Sequence, residues 1–229
     1  MPYNLCLAIA SMWAREIVAI TDSRTCKSDL LEHIELLAQS DVGAIILREK
    51  QLEPSTYSVL AKQALKLCAG TGVACVLHSF AQVAKELSAP ALHCQSNQIV
   101  HLPHLRSHFR TLGISVHSIE EYLAARKWVD YVIIGHIFQS SCKVGVEPKG
   151  LKLLESIITL ESSFVKADSR DKPALQGLYA IGGITLETLP ALTNMPISGV
   201  CMRQALMQTA DPKTYINNAK ATPYYLHKM

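Results

Sequence analysis

The chain has 229 residues, of which 49% are hydrophobic and 18% are charged. This composition supports a large core and excludes a chain that is disordered throughout. Lys and Arg number 22 and Asp and Glu number 19, so the net charge is only +3 and does not indicate nucleic acid or a membrane surface as a partner. No apolar run reaches the roughly 18 residues that a membrane-spanning helix needs.

The N-terminal segment is apolar from Leu5 to Ala14, but no basic residue precedes this run and Arg15 follows it. A secretory signal has the opposite order of charge. We therefore expect residues 1–16 to form an N-terminal helix or arm that packs on the body, and its apolar side chains would suit an interface in a homo-oligomer. The seven cysteines are scattered without a CxxC pair, which favours free thiols and a cytoplasmic location.

Eight short runs rich in β-forming residues recur along the chain. Several of them, such as AIIL at 44–47, are continuous rather than alternating, which is typical of strands buried on both faces of a parallel sheet. The predicted strands are Ile17–Thr21, Gly43–Leu47, Val73–Leu77, Gln98–Leu102, Leu112–Val116, Asp130–Ile134, Gly177–Ile181 and Ile197–Met202.

Helical patterns lie between these strands, so the sequence predicts a single-domain (β/α)8 TIM barrel over residues 1–229. An open doubly wound sheet is the alternative, but Thr21-Asp22-Ser23-Arg24 is not the glycine-rich turn which that fold carries after its first strand. The polar stretch 162–176 predicts a mobile loop at the floor of the barrel. The predicted helices are Asp29–Ala38, Ser55–Ala69, Ala81–Leu87, Ile119–Lys127, Leu151–Leu160 and Leu186–Leu192.

A barrel places its functional groups at the carboxyl ends of the strands and in the loops that follow them. After the seventh strand, Gly182 and Gly183 permit backbone amides to approach an anion, and a following helix would add partial positive charge. Arg203 and Gln204, after the eighth strand, would complete such a site. The arrangement predicts phosphate binding, and a plain strand-to-helix turn is the alternative.

Further cationic side chains follow other predicted strands. Arg48 and Lys50 end the second strand with Glu49 between them, and they form either an inward-facing anion site or a salt bridge at the rim. Lys143 lies in the long polar loop after the sixth strand, where it suits an anionic substrate or is a solvated lysine. His101, in the predicted fourth strand, is a further candidate for substrate binding.

One imidazole is well placed for proton transfer. His117 ends the fifth strand, and strand alternation puts it on the same face as Ser115, while His136 ends the sixth strand and is a second candidate. His104 and His108 have helical spacing, but no carboxylate or cysteine accompanies them, so we expect no metal site there. With no nucleophile elbow, P-loop, HExxH or paired acidic motif, the sequence predicts proton transfer on a small phosphorylated molecule.

Several motifs, in order and spacing, resemble the thiamine-phosphate synthase superfamily of (β/α)8 barrels. They are Ile20-Thr21-Asp22, Leu47-Arg48-Glu49-Lys50, Val100-His101-Leu102, Gly113–Ser118, Asp130-Tyr131 with Gly135, Lys143, and Ile181-Gly182-Gly183-Ile184-Thr185. The resemblance implies one of two activities. The synthase couples a pyrimidine diphosphate to a thiazole phosphate with Mg²⁺ held by aspartates, and the TenI-type tautomerase aromatises a carboxythiazole phosphate.

Departures from the synthase pattern favour the tautomerase. Ile46 stands in place of a Gln, His78-Ser79-Phe80 in place of Asn-Asp-Arg, and no Asp follows the His101-Leu102 motif. Each change removes a ligand of the diphosphate or of Mg²⁺, which needs hard oxygen ligands. Gln204 is a further departure, because it stands where the family often has a phosphate-binding Ser.

Two segments instead look like the tautomerase version, Ser115-Val116-His117-Ser118 and Gly135-His136-Ile137-Phe138. They imply His117 as the acid and base, and we expect a small phosphorylated thiazole as the substrate. Neither a redox cofactor nor a catalytic metal is implied. Synthase activity, and a non-catalytic barrel that binds a thiamine precursor or regulates a partner, are the alternatives.

Overall fold

The structure, a computed structural model, describes residues 16–140, 145, 147–166 and 175–226. Within them, eight parallel strands pair in chain order and the last pairs with the first, so that the sheet closes into a barrel. The predicted (β/α)8 architecture is therefore confirmed. The strands are β1 (Glu16–Ile20), β2 (Ala44–Leu47), β3 (Ala74–His78), β4 (Ala91–Cys94), β5 (Thr111–Val116), β6 (Tyr131–Gly135), β7 (Gly177–Ile181) and β8 (Gly199–Met202).

Helices connect the strands and cover the outside of the barrel. In the described part of the chain the α-helices are α1 (Leu30–Ala38), α2 (Pro54–Cys68), α3 (Ala81–Glu86), α4 (Leu102–Leu105), α5 (Ile119–Ala125), α6 (Gly150–Lys166), α7 (Gln204–Gln208), α8 (Pro212–Lys220) and α9 (Pro223–Leu226), and 3-10 helices span Ser96–His101, Arg126–Trp128 and Leu189–Leu192. None of these helices combines the length and the apolar character that crossing a membrane requires.

Side chains from alternate strand positions fill the interior of the barrel. Val18, Ile46 and Tyr131 are among them, and all three are buried. Their neighbours along the strands, such as Ile45, belong to the outer core between sheet and helices. Gly113 is required on β5, because a Cβ atom there would lie 2.0 Å from the ring of Tyr131. The continuous apolar runs of the sequence thus reflect burial on both faces of the sheet.

The predicted fourth strand, Gln98–Leu102, is wrong. The strand at this place is β4, in which Leu92 and His93 are in register with Leu77 and His78 of β3. Residues 96–101 form a 3-10 helix instead, and its Val100 is 78% exposed. Both segments are short, and a run such as Ile99-Val100 among polar residues is compatible with a strand or with a helical turn. The polar His93 interrupts the apolar run of β4, so the sequence pattern did not predict a strand there.

The loop predicted over 162–176 is wrong for its first part, because α6 continues to Lys166. Ser162 and Ser163 are polar but helical, and their hydroxyls find acceptors within the helix in the carbonyls of Ile158 and Thr159, at 2.8 and 2.9 Å. Residues 167–174 lie outside the described part of the chain, as does the predicted N-terminal arm up to residue 15.

Candidate functional site

A cavity of about 800 Å³ opens at the carboxyl ends of the strands, where a (β/α)8 barrel is expected to carry its site. Polar side chains and backbone from the loops after β2 to β8 line it. The predicted site residues that the structure brings together there are Arg48, Lys50, Ser115, His117, His136, Gly182, Gly183, Arg203 and Gln204.

Two predicted site residues are not among these. His101 ends the 3-10 helix after β4, is exposed and is not among the residues that line the cavity, so its role in substrate binding stays a prediction. The predicted fourth strand had put this residue at the carboxyl end of a strand, and the structure places it in a 3-10 helix instead. Lys143 lies outside the described residues.

One side of the cavity carries a cluster of charges around Asp22, which follows β1 and is buried. Both of its carboxylate oxygens accept hydrogen bonds from Arg24, from Nε at 2.9 Å and from Nη2 at 3.0 Å. Nη1 of Arg48 and Nη1 of Arg203 lie 3.7 and 3.6 Å from Asp22 Oδ2, which is too far for a hydrogen bond. Closure of the barrel between β8 and β1 brings Arg203 to this place.

The charges in this cluster act on one another. Burial alone would raise the pKa of Asp22, but the hydrogen bond from Arg24 and the charges of Arg203 and Arg48 hold it below its usual value. Burial, together with the charge of Arg203, lowers the pKa of Arg48. Nη1 of Arg48 is buried and has no hydrogen-bond partner among the described residues. A buried donor without an acceptor is costly, so this side of the cavity favours an anion.

Glu49 is not among the residues that line the cavity, and its hydrogen bonds join the loops after β1 and β2. It is fully buried, and its carboxylate accepts hydrogen bonds from the hydroxyls of Thr21 and Ser23, both at 2.6 Å, from the amide of Ser23 at 3.0 Å, and from Gln51 Nε2 at 2.7 Å. These bonds position the loop that carries Asp22 and Arg24. The role of Glu49 is therefore to hold the cationic side chains in place.

Lys50 connects the cationic side to the loops after β3 and β4. Its Nζ donates to Gln95 Oε1 at 3.1 Å, and Gln95 Nε2 in turn donates to Ser79 Oγ at 2.9 Å. Gln95, Ser96 and Asn97 line the cavity but were not predicted, because the fourth strand was placed after them. The polar run Gln95-Ser96-Asn97, which two residues separate from the apolar pair Ala91-Leu92, was the signal in the sequence.

The opposite side of the cavity carries the imidazole of His117. Its Nδ1 lies 2.5 Å from the carbonyl oxygen of Gly135, and its backbone amide donates to Glu121 Oε2 at 2.6 Å. A carbonyl oxygen can only accept, so Nδ1 carries the hydrogen and Nε2 is the nitrogen with a free lone pair in the neutral ring. Because His117 lines the cavity, this nitrogen is available to a bound molecule as a proton acceptor.

A buried network of neutral groups lies beneath that side. His93 of β4 is 1% exposed, and its Nε2 lies 2.9 Å from Ser115 Oγ while its Nδ1 lies 3.1 Å from the hydroxyl of Tyr131. Burial lowers the pKa of His93 to about 3 and raises the pKa of Tyr131 well above its usual value. His78 stacks on His93 with ring centroids 5.6 Å apart. His93 was not predicted, since the strand that carries it was not.

The glycine turn after β7 serves packing as well as the cavity. Gly182 and Gly183 have φ of +107° and +63°, and Cβ atoms on them would lie 2.3 Å from His136 Cβ and 2.2 Å from the carbonyl oxygen of Gln139. The backbone of Phe138 donates to Gly182 at 2.9 Å, so the loops after β6 and β7 are bonded together. The glycines are thus required partly by this close approach.

The helix expected directly after the glycines is absent. Residues 186–188 are not helical, and a four-residue 3-10 helix begins only at Leu189. Thr188 Oγ1 instead donates to the carbonyl of Gly183 at 2.8 Å and accepts from the amide of Thr185 at 2.9 Å. The partial charge of a helix N-terminus is therefore not part of this turn, and an anion there would rely on backbone amides and Arg203.

The donor set at the mouth does not fit Mg²⁺. The buried carboxylates after β1 and β2, Asp22 and Glu49, already accept hydrogen bonds from the groups named above, and three guanidiniums surround Asp22. The loops after β3 and β4 offer neutral oxygens such as those of Ser79 and Asn97. Across the described ranges, no group of three or more His, Cys, Asp and Glu side chains is arranged to hold a metal ion. Mg²⁺ is usually held in octahedral geometry through one or two carboxylates, and the described residues of the mouth do not offer that set.

A closed parallel barrel with a polar, partly cationic cavity at the carboxyl ends of its strands defines the class of (β/α)8 barrel proteins. Comparison with known proteins identifies the family. The chain belongs to the family described as thiamine monophosphate synthase, whose sequence profile matches residues 17–206.

Named relatives agree with this assignment. The chain is similar to the thiamine-phosphate synthase of Pasteurella multocida, with 27% identity over 191 residues that cover 80% of this chain and 81% of the relative. It is also 27% identical, over 202 residues, to the thiamine-phosphate synthase of Roseiflexus castenholzii, covering 86% and 83% of the two chains. Both carry the name of the synthase, and the predicted closeness to TenI-type tautomerases stays a prediction.

Solved structures share the fold. The thiamine phosphate pyrophosphorylase from Pyrococcus furiosus has a TM-score of 0.73 and 20% identity, covering 93% of this chain and 96% of its own. KGPDC from Streptococcus mutans has a TM-score of 0.60 and 13% identity, with coverages of 90% and 96%. At these identities the likeness shows the barrel alone.

Proposed function

We propose that this chain acts in thiamine biosynthesis as a thiamine-phosphate synthase, coupling a pyrimidine diphosphate to a thiazole phosphate. The observation that carries the proposal is one cavity of about 800 Å³ that is lined by arginines on one side and by a glycine turn on another. Arg48 and Arg203 provide positive charge on the β2 and β8 side, and the turn at Gly182 and Gly183 provides backbone amides on the β7 side. Such a cavity suits two phosphorylated substrates, and the names of the relatives support the same reaction.

In this reaction the ring nitrogen of the thiazole forms a bond to the exocyclic CH₂ carbon of the pyrimidine. The bond from that carbon to the diphosphate oxygen breaks, and the diphosphate leaves with the electron pair. Charge therefore develops on the leaving oxygen, where preorganised cations stabilise the transition state. Arg48 and Arg203 supply that charge, and the glycine turn orients the phosphate of the thiazole.

The test is to incubate the purified chain with both substrates and to follow thiamine phosphate and pyrophosphate in equal amounts. We expect both products, and we expect KM for the thiazole to rise at least tenfold when its phosphate is removed, because a charge-assisted contact is lost. Omission of either substrate is the control. Formation of neither product above the uncatalysed rate would reject the synthase.

A second candidate function, thiazole tautomerisation, is favoured by one observation. The hydrogen bond from His117 Nδ1 to Gly135 leaves Nε2 as a base in the cavity. It would take the proton from C2 of the carboxylated dihydrothiazole phosphate and return it to the exocyclic carbon, with no net gain or loss of atoms. The named relatives favour the synthase over this reaction.

Ultraviolet absorbance of the non-aromatic thiazole carboxylate phosphate tests this second candidate. Growth of the aromatic chromophore above the spontaneous rate, reduced about 100-fold or more in His117→Gln, is expected if the imidazole moves the proton. His108→Gln, at an exposed position, is the matched control. An equal rate in His117→Gln would show that this imidazole is not the base.

A further inference from the structure

We propose that Arg48 and Arg203 form a diphosphate-binding site that works without a divalent cation, with Arg203 supplying the positive charge that Mg²⁺ would otherwise bring. The choice of a diphosphate as the ligand rests on the proposed synthase function. The site itself rests on the arrangement of three guanidiniums around one buried carboxylate.

The charges of this cluster do not cancel, and the excess positive charge faces the cavity. Arg24 satisfies both oxygens of Asp22 in a bidentate pair and is largely exposed, so it neutralises that carboxylate from the outside. Arg48 and Arg203 remain, and both line the cavity. Arg24, Arg48, Arg203 and Lys50 carry four positive charges against the two carboxylates of Asp22 and Glu49, which leaves an excess of two positive charges at this rim.

Without a bound anion, the two guanidiniums repel each other and one buried N–H donor of Arg48 has no acceptor in the described part of the chain, and both effects destabilise the free protein. Arg48 is 15% exposed and Arg203 is 21% exposed, so their like charges repel in a partly desolvated place. Nη1 of Arg48 is buried without an acceptor among the described residues, and burial with the charge of Arg203 lowers the pKa of Arg48. An oxygen of a diphosphate between the two guanidiniums would accept from this donor and offset the repulsion.

A divalent cation would compete poorly for the same place. It would have to displace Arg24 from Asp22 and to lie near Arg48 and Arg203, where like charges repel it. The guanidiniums bind phosphate oxygens in a fork geometry and cannot lose their charge at physiological pH. Lys50 at the same rim adds a further cation, held by Gln95.

Calorimetric titration with inorganic pyrophosphate in excess EDTA tests the site directly. We expect binding in EDTA, an affinity that excess Mg²⁺ does not increase, and an affinity about tenfold or more weaker in Arg203→Gln. Arg203→Lys keeps a positive charge but loses the planar fork, so its affinity is expected to lie between those of the unaltered chain and Arg203→Gln. Arg110→Gln is the matched control, because Arg110 is exposed just before β5, at the opposite end of the barrel.

Binding that requires Mg²⁺, or that is the same in Arg203→Gln as in the unaltered chain, would overturn the proposal. Circular dichroism of each variant shows that the barrel has formed, and Arg203→Lys provides the comparison if Arg203→Gln does not fold. Titration with pyrophosphate does not depend on turnover. Binding in EDTA by a chain that couples no substrates would therefore support this site while rejecting the synthase.

Discussion

The two sides of the cavity are both polar, but on one side the polar groups are charged and paired, and on the other they are buried and uncharged. On the side of β1, β2 and β8, the groups are charged and are held by pairing, as in Asp22 with Arg24. On the side of β4, β5 and β6, burial keeps His93 and Tyr131 uncharged within a hydrogen-bonded network. The comparison teaches that one barrel mouth can keep paired charges apart from buried uncharged groups, and the two proposed functions, anion binding and proton transfer, would each use a different side.

The largest expected effect comes from the charged side. Arg48→Met removes a cation that lines the cavity, and we expect kcat/KM for the coupling reaction to fall about 100-fold or more, because the charge on the leaving diphosphate is no longer stabilised. Steady-state kinetics with both substrates measure the change. Arg110→Met, with the same loss of charge at the far end of the barrel, is expected to remain within about twofold. Equal losses in the two variants would contradict the assignment of Arg48 to the site.

Glu49→Gln tests whether the charged side is built on a buried carboxylate. The new amide group would face donors in Ser23 and Thr21, so we expect the free energy of unfolding to fall by about 1–3 kcal/mol. Urea unfolding measures it. Glu53→Gln, an exposed residue whose side chain makes no capping bond to α2, is the control and is expected to change little. Identical unfolding midpoints would show that Glu49 does not hold the loop.

The neutral side of the cavity is expected to make the free energy of unfolding depend on pH. Because burial lowers the pKa of His93 from 6.5 to about 3, the unfolded chain binds a proton between these pH values that the folded chain does not. The free energy of unfolding therefore decreases as pH falls through this window, by about 1.4 kcal/mol per pH unit for one proton. Urea unfolding from pH 7 to pH 4 should show a shallower slope in His93→Gln.

The exposed His108→Gln provides the comparison for that slope and is expected to leave it unchanged. If His93→Gln and the unaltered chain had the same dependence on pH, His93 would be accessible to protons in the folded barrel. The division of the cavity into a charged and a neutral side would then fail.

The smallest effect is expected at His101, which lies outside the cavity. His101→Ala should leave kcat/KM unchanged and should alter the free energy of unfolding by less than about 0.5 kcal/mol, as for most exposed positions. The same assays used for Arg48→Met and Glu49→Gln measure both. A loss of activity comparable to that of Arg48→Met would restore His101 to the site.

The sequence predicts the barrel well because continuous apolar runs, such as 44–47, recur with helical patterns between them, and this alternation is typical of parallel strands covered on both faces. It fails at β4, where a histidine in a four-residue strand breaks the run and a nearby Ile99-Val100 pair competes for the assignment. It cannot foresee the cluster at Asp22, since Arg203 reaches that carboxylate only when β8 pairs with β1. It likewise cannot predict the role of Glu49, because α1 separates Glu49 along the chain from its hydrogen-bond partners Thr21 and Ser23.

The pairing of β8 with β1 also has a consequence for how the chain matures. Arg203 comes near the end of the described chain and Asp22 near its beginning, so the cluster does not exist in a nascent chain that lacks the last strand. A ribosome-bound intermediate ending before β8 would already carry the histidine side of the mouth but not the complete arginine cluster. Binding of a diphosphate at the proposed site of Arg48 and Arg203 would therefore require that the ring of strands has closed.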